Sequence, residues 1–470
     1  MHKIDYTLTV PDLPNISPAS LASLVNAALP GPNYLLQSAN IVTTVNISAW
    51  EAHRDIIDPM DPTLVDQLKW GFPTGAPLDA KFSVPFTNHK SARQNPHIVE
   101  QYINRHLQSG AIYGPFQVNP LDIDLVVSPI QVAFSASGKP RVCNDLSYGE
   151  HSVNSFISAD WSSYPGYTGD LTLPKVDDLV KAIMDIGPTA LLWKTDFSAF
   201  YKQLNTDPAQ INSLGFAYAG CIYIENRLPF GLRSACLNAQ RVTNAAIRIY
   251  RTKSGGFAIG YVDDCVGASR PLKAVAEYES FIVLSDELGL LLTLEKCVRP
   301  VPALVWIGLE FDAPNMCLRL PLDKKQRIIA SLQEWLATAR STKSRLQSLL
   351  GTLNHAASAI VVGRAFTGHI LDLIKADQFP VDLTREFYLD VQLWLQVLLS
   401  ECSLQMTFKS PTDIPTDCLV AVAAHGDRVA VRIGKVTDVY KVVDDVPHGS
   451  ETLYIYAFWL ATKLACDRLK

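Results

Sequence analysis

The chain has 470 residues, of which 48% are hydrophobic, so it can bury substantial cores, and we expect two to four domains or subdomains. Lys and Arg number 41 against 46 Asp and Glu, a net charge of −5, which excludes binding of nucleic acid through a globally basic surface and leaves local patches for that purpose. The cysteines show no Cys-x-x-Cys zinc spacing, and their odd number of nine argues against a complete disulfide framework.

The N-terminal residues 1–88 are rich in proline and carry short apolar clusters, which predicts an irregular N-terminal extension, partly helical between Trp50 and Trp70. The sequence shows no secretory leader and no apolar run long enough to span a bilayer. We therefore expect an intracellular protein, cytoplasmic or nuclear, with no membrane partner.

The first clear helix follows Asn95, a good N-cap residue, with Pro96 at the first helical position and Gly110 at the end. An apolar strand, a Ser-Ala-Ser-Gly turn and a second strand then predict a hairpin between Ser128 and Asp145. The second strand of this hairpin carries two basic residues, Lys139 and Arg141, which lie two positions apart and therefore on the same face. Such a pair can clamp a triphosphate, and an ordinary solvated strand face is the alternative interpretation.

A second buried strand, beginning at Leu191, ends in Asp196. An acid at the end of a strand lies at the rim of a sheet, where ligands usually bind, although it can equally cap the next helix. Farther along, Asn226 opens a loop that reads Arg-Leu-Pro-Phe-Gly-Leu-Arg-Ser-Ala and leads into a long helix from Cys236 to about Tyr250. Its Pro-Phe-Gly turn brings backbone and a helix N-terminus close to whatever occupies the cleft.

Residues 257–267 read Phe-Ala-Ile-Gly-Tyr-Val-Asp-Asp-Cys-Val-Gly, which predicts two strands joined by a tight turn at Asp263 and Asp264. Adjacent carboxylates repel each other unless a cation offsets them, and oxygen ligands suit Mg²⁺. Two other Asp-Asp pairs, at 177–178 and 444–445, are rivals on local pattern; the first fits a solvated helix start. Together with Asp196, the pair would form a three-carboxylate cluster able to hold two Mg²⁺ ions about 4 Å apart.

In this order the segments resemble the reverse transcriptases of retroelements, across at least residues 95–315. Three motifs carry the resemblance: Leu192-Trp-Lys-Thr-Asp-Phe-Ser-Ala-Phe-Tyr, Leu228-Pro-Phe-Gly-Leu-Arg-Ser-Ala and Tyr261-Val-Asp-Asp. Weaker similarities point to DIRS-type elements, the retrotransposons with a tyrosine recombinase: Asn88-His-Lys-Ser-Ala, the Gly-Pro-Phe ending at Phe116, Asp145-Leu-Ser-Tyr and Ser152-Val-Asn.

The resemblance implies roles for individual residues. Metal ions, two Mg²⁺ with Mn²⁺ as a substitute, would be held by Asp196, Phe197, Asp263 and Asp264. Lys296, in a segment similar to the motif whose lysine protonates the leaving pyrophosphate, would complete the catalytic set, and Val305-Trp-Ile-Gly-Leu-Glu-Phe is similar to the primer grip. The nucleotide-binding residues would be Lys139, Arg141, Tyr201, Phe230 and Gly231. Tyr201 would be the steric gate, because a ring beneath the sugar leaves no room for a 2′-hydroxyl.

Two helices follow, one predicted to be capped by Asp323 and to bury Ile328, Leu332 and Leu336, and one predicted to begin after Ser341. We interpret residues 317–405 as thumb and connection helices, whose basic residues could track a phosphate backbone or be merely solvated. Residues 406–470 are similar to the start of an RNase H domain, with Asp417 and Glu451 at the acidic positions. Because the sequence stops before further carboxylates, we expect remnants or a truncated module without nuclease activity.

The sequence thus predicts an α+β right-hand polymerase, with fingers and an antiparallel palm sheet in residues 89–316, then thumb and connection helices and a truncated RNase H-like α/β segment. The expected function is that of an RNA-directed DNA polymerase of a retrotransposon, with an RNA template, a DNA or RNA primer and dNTPs as partners. Two alternatives stay open: an RNA-dependent RNA polymerase, against which Tyr201 speaks, and a catalytically idle scaffold that binds RNA or protein. Oligomeric state is not predicted.

Overall fold

The computed structural model describes residues 43–77, 87–121, 123–135, 138–160, 164–165, 167, 171, 173–399 and 406–408, and the backbone of strands within 420–441. These residues fall into two units. The first lies within Met1–Pro174, Lys194–Gly267 and Val275–Arg299, and the second within Lys175–Trp193, Ala268–Ala274 and Pro300–Lys470. Helices and sheets are mixed throughout, which confirms the α+β class. Among the helices described, none is long and apolar enough to cross a membrane.

The α-helices of the described residues are, in chain order, α1 Ile47–Glu51, α2 Arg54–Ile57, α3 Leu64–Trp70, α4 Lys90–Gln94, α5 Pro96–Gln108, α6 Val176–Ile186, α7 Ala235–Ser254, α8 Ala274–Glu287, α9 Leu322–Leu336, α10 Lys343–Ala356, α11 Gly368–Ile374 and α12 Arg385–Leu399. Short 3₁₀ helices occur at Val153–Phe156, Phe200–Gln203, Pro208–Ser213, Leu294–Lys296 and Val361–Thr367.

The strands are β1 Ile112–Phe116, β2 Val127–Ser128, β3 Ile130–Phe134, β4 Pro140–Asn144, β5 Leu191–Asp196, β6 Gly215–Tyr218, β7 Cys221–Glu225, β8 Phe257–Tyr261, β9 Asp264–Ser269, β10 Val298–Val301, β11 Ala303–Trp306, β12 Leu309–Asp312, β13 Cys317–Arg319, β14 Arg340–Ser341, β15 Val381–Asp382, β16 Met406–Thr407, β17 Val420–His425, β18 Arg428–Ile433 and β19 Val436–Lys441. Three four-stranded sheets have the orders β1-β7-β6-β2, β10-β5-β9-β8 and β11-β12-β13-β16. Strands β17, β18 and β19 form a three-stranded sheet, and the pairs are β3-β4 and β14-β15.

The hairpin predicted near the start of the first unit is present as β3 and β4, which pair antiparallel with Ala133 opposite Arg141. Helix α5 begins at Pro96 as predicted. Its expected cap bond is replaced, since the Asn95 amide donates to the Ser91 carbonyl at 2.8 Å. Buried apolar residues of the helix and the hairpin share one core: Val99, Ile103, Ile130, Val132 and Val142. The alternation of apolar residues therefore places the hairpin's basic residues on the outside.

Residues 43–77 are bound to helix α7 by a buried ion pair. Arg241 is 2% exposed, and its guanidinium donates to both carboxylate oxygens of Asp61, at 2.7 and 2.9 Å. The same guanidinium lies 4.7 Å from the ring centroid of Tyr167. A charge this deeply buried is tolerated because its donors are paired and its flat faces lie against aromatic rings.

In the second unit, the Asp-Asp pair at 177–178 begins helix α6, and Asp178 accepts from the Lys175 N–H at 2.8 Å, which confirms the solvated helix start. Two other predictions there, the cap at Asp323 and the burial of Leu336, are wrong in detail. Asp323 lies inside the first turn of α9, where its carboxylate pairs with Arg327, so it is not the cap. Helix α10 follows Ser341 as predicted, and the hydroxyl of Thr342 caps it. Leu336 is 38% exposed, because Trp335 takes the buried position.

The C-terminal strands β17, β18 and β19 pair antiparallel in a three-stranded meander. This agrees with the alternating pattern of the sequence from 418 to 433. Asp417 and Glu451, and the rival pair at 444–445, lie outside the described residues, so the predicted RNase H-like site stays a prediction.

Candidate active site

The three predicted carboxylates lie at one edge of the β10-β5-β9-β8 sheet. Asp196 is the last residue of β5, whereas Asp263 and Asp264 lie where the β8-β9 hairpin turns. The Phe197 backbone N–H donates to the Asp263 carbonyl at 2.8 Å, which ties the two chain segments together. The alternative role of Asp196 as a helix cap is excluded, because both of its carboxylate oxygens accept from an ammonium group instead.

Burial and mutual repulsion raise the pKa values of the two acids in the turn. Burial raises the pKa of Asp263, and the nearby Asp196 carboxylate raises it further. Burial likewise raises the pKa of Asp264, to about 6; the Lys194 ammonium opposes this shift, and the other two carboxylates add to it. A bound cation would offset the repulsion between these neighbouring carboxylates and stabilise their charged forms.

Two lysines pair with these acids. The Lys296 ammonium donates to both oxygens of Asp196, at 2.7 and 2.8 Å. The Lys194 ammonium donates to Oδ2 of Asp264 at 3.0 Å. Lys296 was predicted from the sequence, whereas Lys194 was not. Lys194 could have been predicted as a partner of the acids, because it precedes Asp196 by two positions on the same strand and its side chain therefore projects from the same face.

The donor set suits a hard divalent cation, since carboxylate oxygens are the ligands that Mg²⁺ and Mn²⁺ prefer. As the side chains stand, no three His, Cys, Asp or Glu residues of the described chain are arranged to hold a metal ion. Lys296 pairs with both oxygens of Asp196, and Lys194 pairs with one oxygen of Asp264. A divalent cation would therefore compete with these ammonium groups for the same oxygens.

The turn that carries Asp263 is held in an unusual conformation. Val262 has φ of 54°, a left-handed value that a β-branched residue adopts only under constraint. Helix α7 supplies the constraint: Oε1 of Gln240 accepts from the Val262 N–H at 2.8 Å, and its Nε2 donates to the Gly260 carbonyl at 2.8 Å. The Thr243 hydroxyl donates to the Val262 carbonyl. Helix α7 thereby fixes the position of the acidic turn.

Gln240 and Thr243 were not predicted from the sequence. Both are fully buried, with 0% exposure, on a helix whose neighbouring buried positions are mostly apolar. Such residues need buried partners, and the nearby turn provides them.

Tyr201, Phe230 and Arg141 are brought together beside the acids. The Tyr201 and Phe230 rings meet edge to face, with centroids 5.1 Å apart, and the Arg141 guanidinium lies 5.8 Å from the Phe230 centroid. The charge of Arg141 opposes the rise in the pKa of Asp263, which places the hairpin's arginine near the acidic turn. Burial raises the pKa of Tyr201, so its hydroxyl stays protonated beside the Cys236 thiol. Three of the predicted nucleotide-binding residues thus form one group.

The other two predicted nucleotide-binding residues are placed differently. Lys139 is exposed just before β4, and its backbone N–H donates to the Ser135 hydroxyl at 3.0 Å. Gly231 packs against backbone: it has φ of 106°, and a Cβ there would lie 1.9 Å from the Asn144 carbonyl oxygen. The Asn144 N–H donates to the Phe230 carbonyl at 3.0 Å. Only glycine permits this approach, through which the loop is seated on the end of β4.

A buried ionic group next to Tyr201 was not predicted from the sequence. The Lys202 ammonium donates to the Glu225 carboxylate, which is 0% exposed, and the Tyr102 hydroxyl donates to the same carboxylate. Burial lowers the pKa of Lys202 in spite of this partner. Burial and the Lys202 charge also lower the pKa of His106, to about 3, so this imidazole is neutral.

In the second unit, the segment predicted as the primer grip forms the β11-β12 hairpin, with Ile307 and Gly308 in the turn at φ of 44° and 73°. The Lys324 ammonium donates to the Gly308 carbonyl at 3.2 Å, and Nε2 of His355 lies 2.8 Å from the Ile307 carbonyl. Helices α9 and α10 therefore hold this turn.

No protein-family model matches the chain, and no curated protein matches it. Solved structures of foamy viral protease-reverse transcriptase do match. One in complex with double-stranded DNA has a TM-score of 0.53 and 14% identity over 93% of this chain and 73% of that chain. A second DNA complex has a TM-score of 0.51 and 15% identity over 93% and 87%. A complex with RNA/DNA hybrid has a TM-score of 0.52 and 15% identity over 93% and 56%. The chain thus has a fold similar to that of a reverse transcriptase.

Proposed function

We propose that the chain is an RNA-directed DNA polymerase that adds dNTPs to a primer 3′-hydroxyl. The observation that carries the proposal is the placement of Asp196, Asp263 and Asp264 at one edge of the same sheet, with the Tyr201 and Arg141 side chains beside Asp263. Three acids from two neighbouring strands are what phosphoryl transfer with two divalent ions requires. The reverse-transcriptase-like fold is compatible with this chemistry.

In this proposal the fingers and palm correspond to residues 89–316, the thumb and connection helices to 317–405, and an RNase H-like segment to 406–470. The motif resemblance further supports an origin in a retrotransposon, with DIRS-type elements as the most similar group. The partners would be an RNA template, a DNA or RNA primer and dNTPs. Nuclease activity is not part of the proposal.

Asp196, Asp263 and Asp264, with the Phe197 carbonyl, would hold two Mg²⁺ ions, or Mn²⁺ in their place. When bound, such ions supply Lewis-acid activation of the primer hydroxyl and offset charge on the leaving pyrophosphate. Arg141 offers a guanidinium to the triphosphate, and the exposed Lys139 can swing toward it from the same hairpin.

Two further residues act on the nucleotide. The Tyr201 ring lies against Phe230 and has little freedom to move, so it can exclude a ribose 2′-hydroxyl. The Lys296 ammonium donates to Asp196 and can give a proton to the pyrophosphate oxygen as the α-phosphate bond breaks. The palm turn is fixed by Gln240 and Thr243, so the acids meet the substrate without rearranging.

The test is extension of a labelled primer on an RNA template, with dNTPs and NTPs supplied in parallel. We expect the wild-type chain to extend with dNTPs and to reject NTPs. Tyr201→Ala should accept NTPs at a rate closer to that for dNTPs, because the ring no longer fills the space of the 2′-hydroxyl. Tyr218→Ala, on β6, is the matched control and should keep the wild-type preference. Extension of the wild type with NTPs alone would identify an RNA-dependent RNA polymerase. A folded chain that binds primer-template and extends with neither would be an idle scaffold.

A further inference from the structure

Gln203 ends the 3₁₀ helix that follows the Asp196 strand, and it is 5% exposed. Its side-chain amide bonds only with backbone in the hydrogen bonds described. Nε2 donates to the Ser198 carbonyl at 2.6 Å and to the Leu291 carbonyl at 3.0 Å, while Oε1 accepts from the Leu291 N–H at 2.8 Å. One buried amide thereby joins two loops that are far apart in the sequence.

The two loops carry the Asp196–Lys296 pair. Ser198 lies two residues after Asp196, and its N–H donates to the Leu291 carbonyl at 2.8 Å. The Thr293 N–H donates to the Asp196 carbonyl at 2.8 Å, and the Thr293 carbonyl accepts from the Lys296 N–H at 2.9 Å. Backbone hydrogen bonds therefore join the segment that carries Lys296 to the segment that carries Asp196, and the Gln203 side chain adds further hydrogen bonds between them.

The loop of Leu291 is also held from its other end. The Leu288 carbonyl accepts from the indole N–H of Trp50 at 3.0 Å and from the Asn46 N–H at 3.0 Å. Those contacts anchor the loop to residues 43–77 but do not reach the Asp196 strand. Among the side chains described, Gln203 is the one whose amide bonds both the Ser198 segment and the Leu291 segment.

We propose that Gln203 is a positioning residue that fixes the Lys296 ammonium relative to the Asp196 carboxylate. The proposal rests on the proposed function, in which Lys296 gives a proton to the leaving pyrophosphate. An apolar side chain at 203 would leave the Leu291 N–H and the Ser198 carbonyl without this partner, and the two loops could then shift apart. A shift of about 1 Å at a reacting group is enough to slow a reaction on the order of a hundredfold.

The first part of the test needs no catalysis. Hydrogen exchange of the full chain is followed by mass spectrometry in wild type, Gln203→Met and Gln210→Met. Gln210 is the matched control, because its half-buried amide in the first unit bonds Thr74 rather than either loop. We expect faster exchange within 196–204 and 288–297 in Gln203→Met only. Equal exchange there in Gln203→Met and wild type would overturn the positioning role, as would a uniform increase across the chain.

The second part measures primer extension. Gln203→Met should lower kcat on the order of tenfold to a hundredfold with the dNTP KM within about twofold of wild type, because ground-state binding is untouched. Lys296→Met should lower kcat by a similar factor, and the double variant should be no slower than Lys296→Met alone. Multiplied losses in the double variant, or a raised KM with unchanged kcat, would overturn the proposal. A wild-type chain that does not extend primers would contradict the proposed function, and the exchange data would still decide whether Gln203 joins the loops.

Discussion

Gln240 is the residue through which the acidic turn depends most on helix α7. Replacing it with Leu removes the acceptor of the Val262 N–H and the donor to the Gly260 carbonyl, both in the buried interior. A buried backbone group left unpaired costs about 1–3 kcal/mol, so two cost about 2–6 kcal/mol. The apolar Leu side chain recovers part of this loss, about 1–2 kcal/mol. From the midpoints of these two ranges, we expect the free energy of unfolding to fall by about 2–3 kcal/mol.

The same change should reduce catalysis more than stability alone explains. Val262 holds a left-handed conformation that costs about 1–3 kcal/mol, and the turn can relax from it once the Gln240 bonds are lost. Because Asp263 follows Val262 directly, relaxation displaces one acid of the cluster. We expect kcat for primer extension to fall by at least about tenfold under conditions where the variant is fully folded.

Chemical denaturation and primer extension measure the two effects. The control is Gln101→Leu, the same chemical change at an exposed position of α5, which should alter the free energy of unfolding by less than about 0.5 kcal/mol. A Gln240→Leu chain with the stability and kcat of wild type would refute the reasoning, because it would show that the turn keeps its conformation without the Gln240 hydrogen bonds.

Three further predictions concern the first unit. Asp61→Asn leaves the buried Arg241 charge without its carboxylate and should lower the free energy of unfolding by about 3–5 kcal/mol, whereas Asp66→Asn, which removes a partly exposed pair, should cost less than about 1 kcal/mol in the same denaturation assay. Gly231→Ala places a methyl group against the Asn144 carbonyl and should both destabilise the chain and slow extension; Gly138→Ala, where the methyl group meets open space among the described residues, should cost only about 1 kcal/mol. The pKa of His106 lies at about 3 in the folded chain against 6.5 ordinarily, so below about pH 6.5 the unfolded chain takes up a proton that the folded chain refuses. Stability should fall between pH 6.5 and 4, and His106→Gln should reduce that slope.

The position of the acids could be predicted because each acid follows directly from a strand. Asp196 ends an apolar run, and Asp263 lies between two such runs, so their convergence needs only that the two strands be neighbours. The glycine of the Pro-Phe-Gly loop was likewise visible in the sequence. The structural need for glycine at this position could not be predicted, because the close contact with Asn144 joins segments that no local sequence pattern relates.

The partners that support the site could not be predicted for the same reason. Arg241 and Asp61 are 180 positions apart, and Gln203 and Leu291 are 88 positions apart. A single sequence shows that a buried polar residue needs a partner, but it does not show which distant segment supplies one. The cap at Asp323 failed on a smaller scale, since Pro321 takes the N-cap position and a single sequence does not fix the first residue of a helix.

The central claim is that Asp263 belongs to a catalytic cluster, while the other described Asp-Asp pair only begins a helix. Primer extension on an RNA template with dNTPs and Mg²⁺ tests it directly, with Asp263→Asn beside Asp177→Asn, the matched change in the exposed first turn of α6. The account predicts that wild type and Asp177→Asn extend the primer equally and that Asp263→Asn does not extend it. Equal extension by Asp263→Asn, or no extension by a folded wild-type chain that binds primer-template, would contradict it.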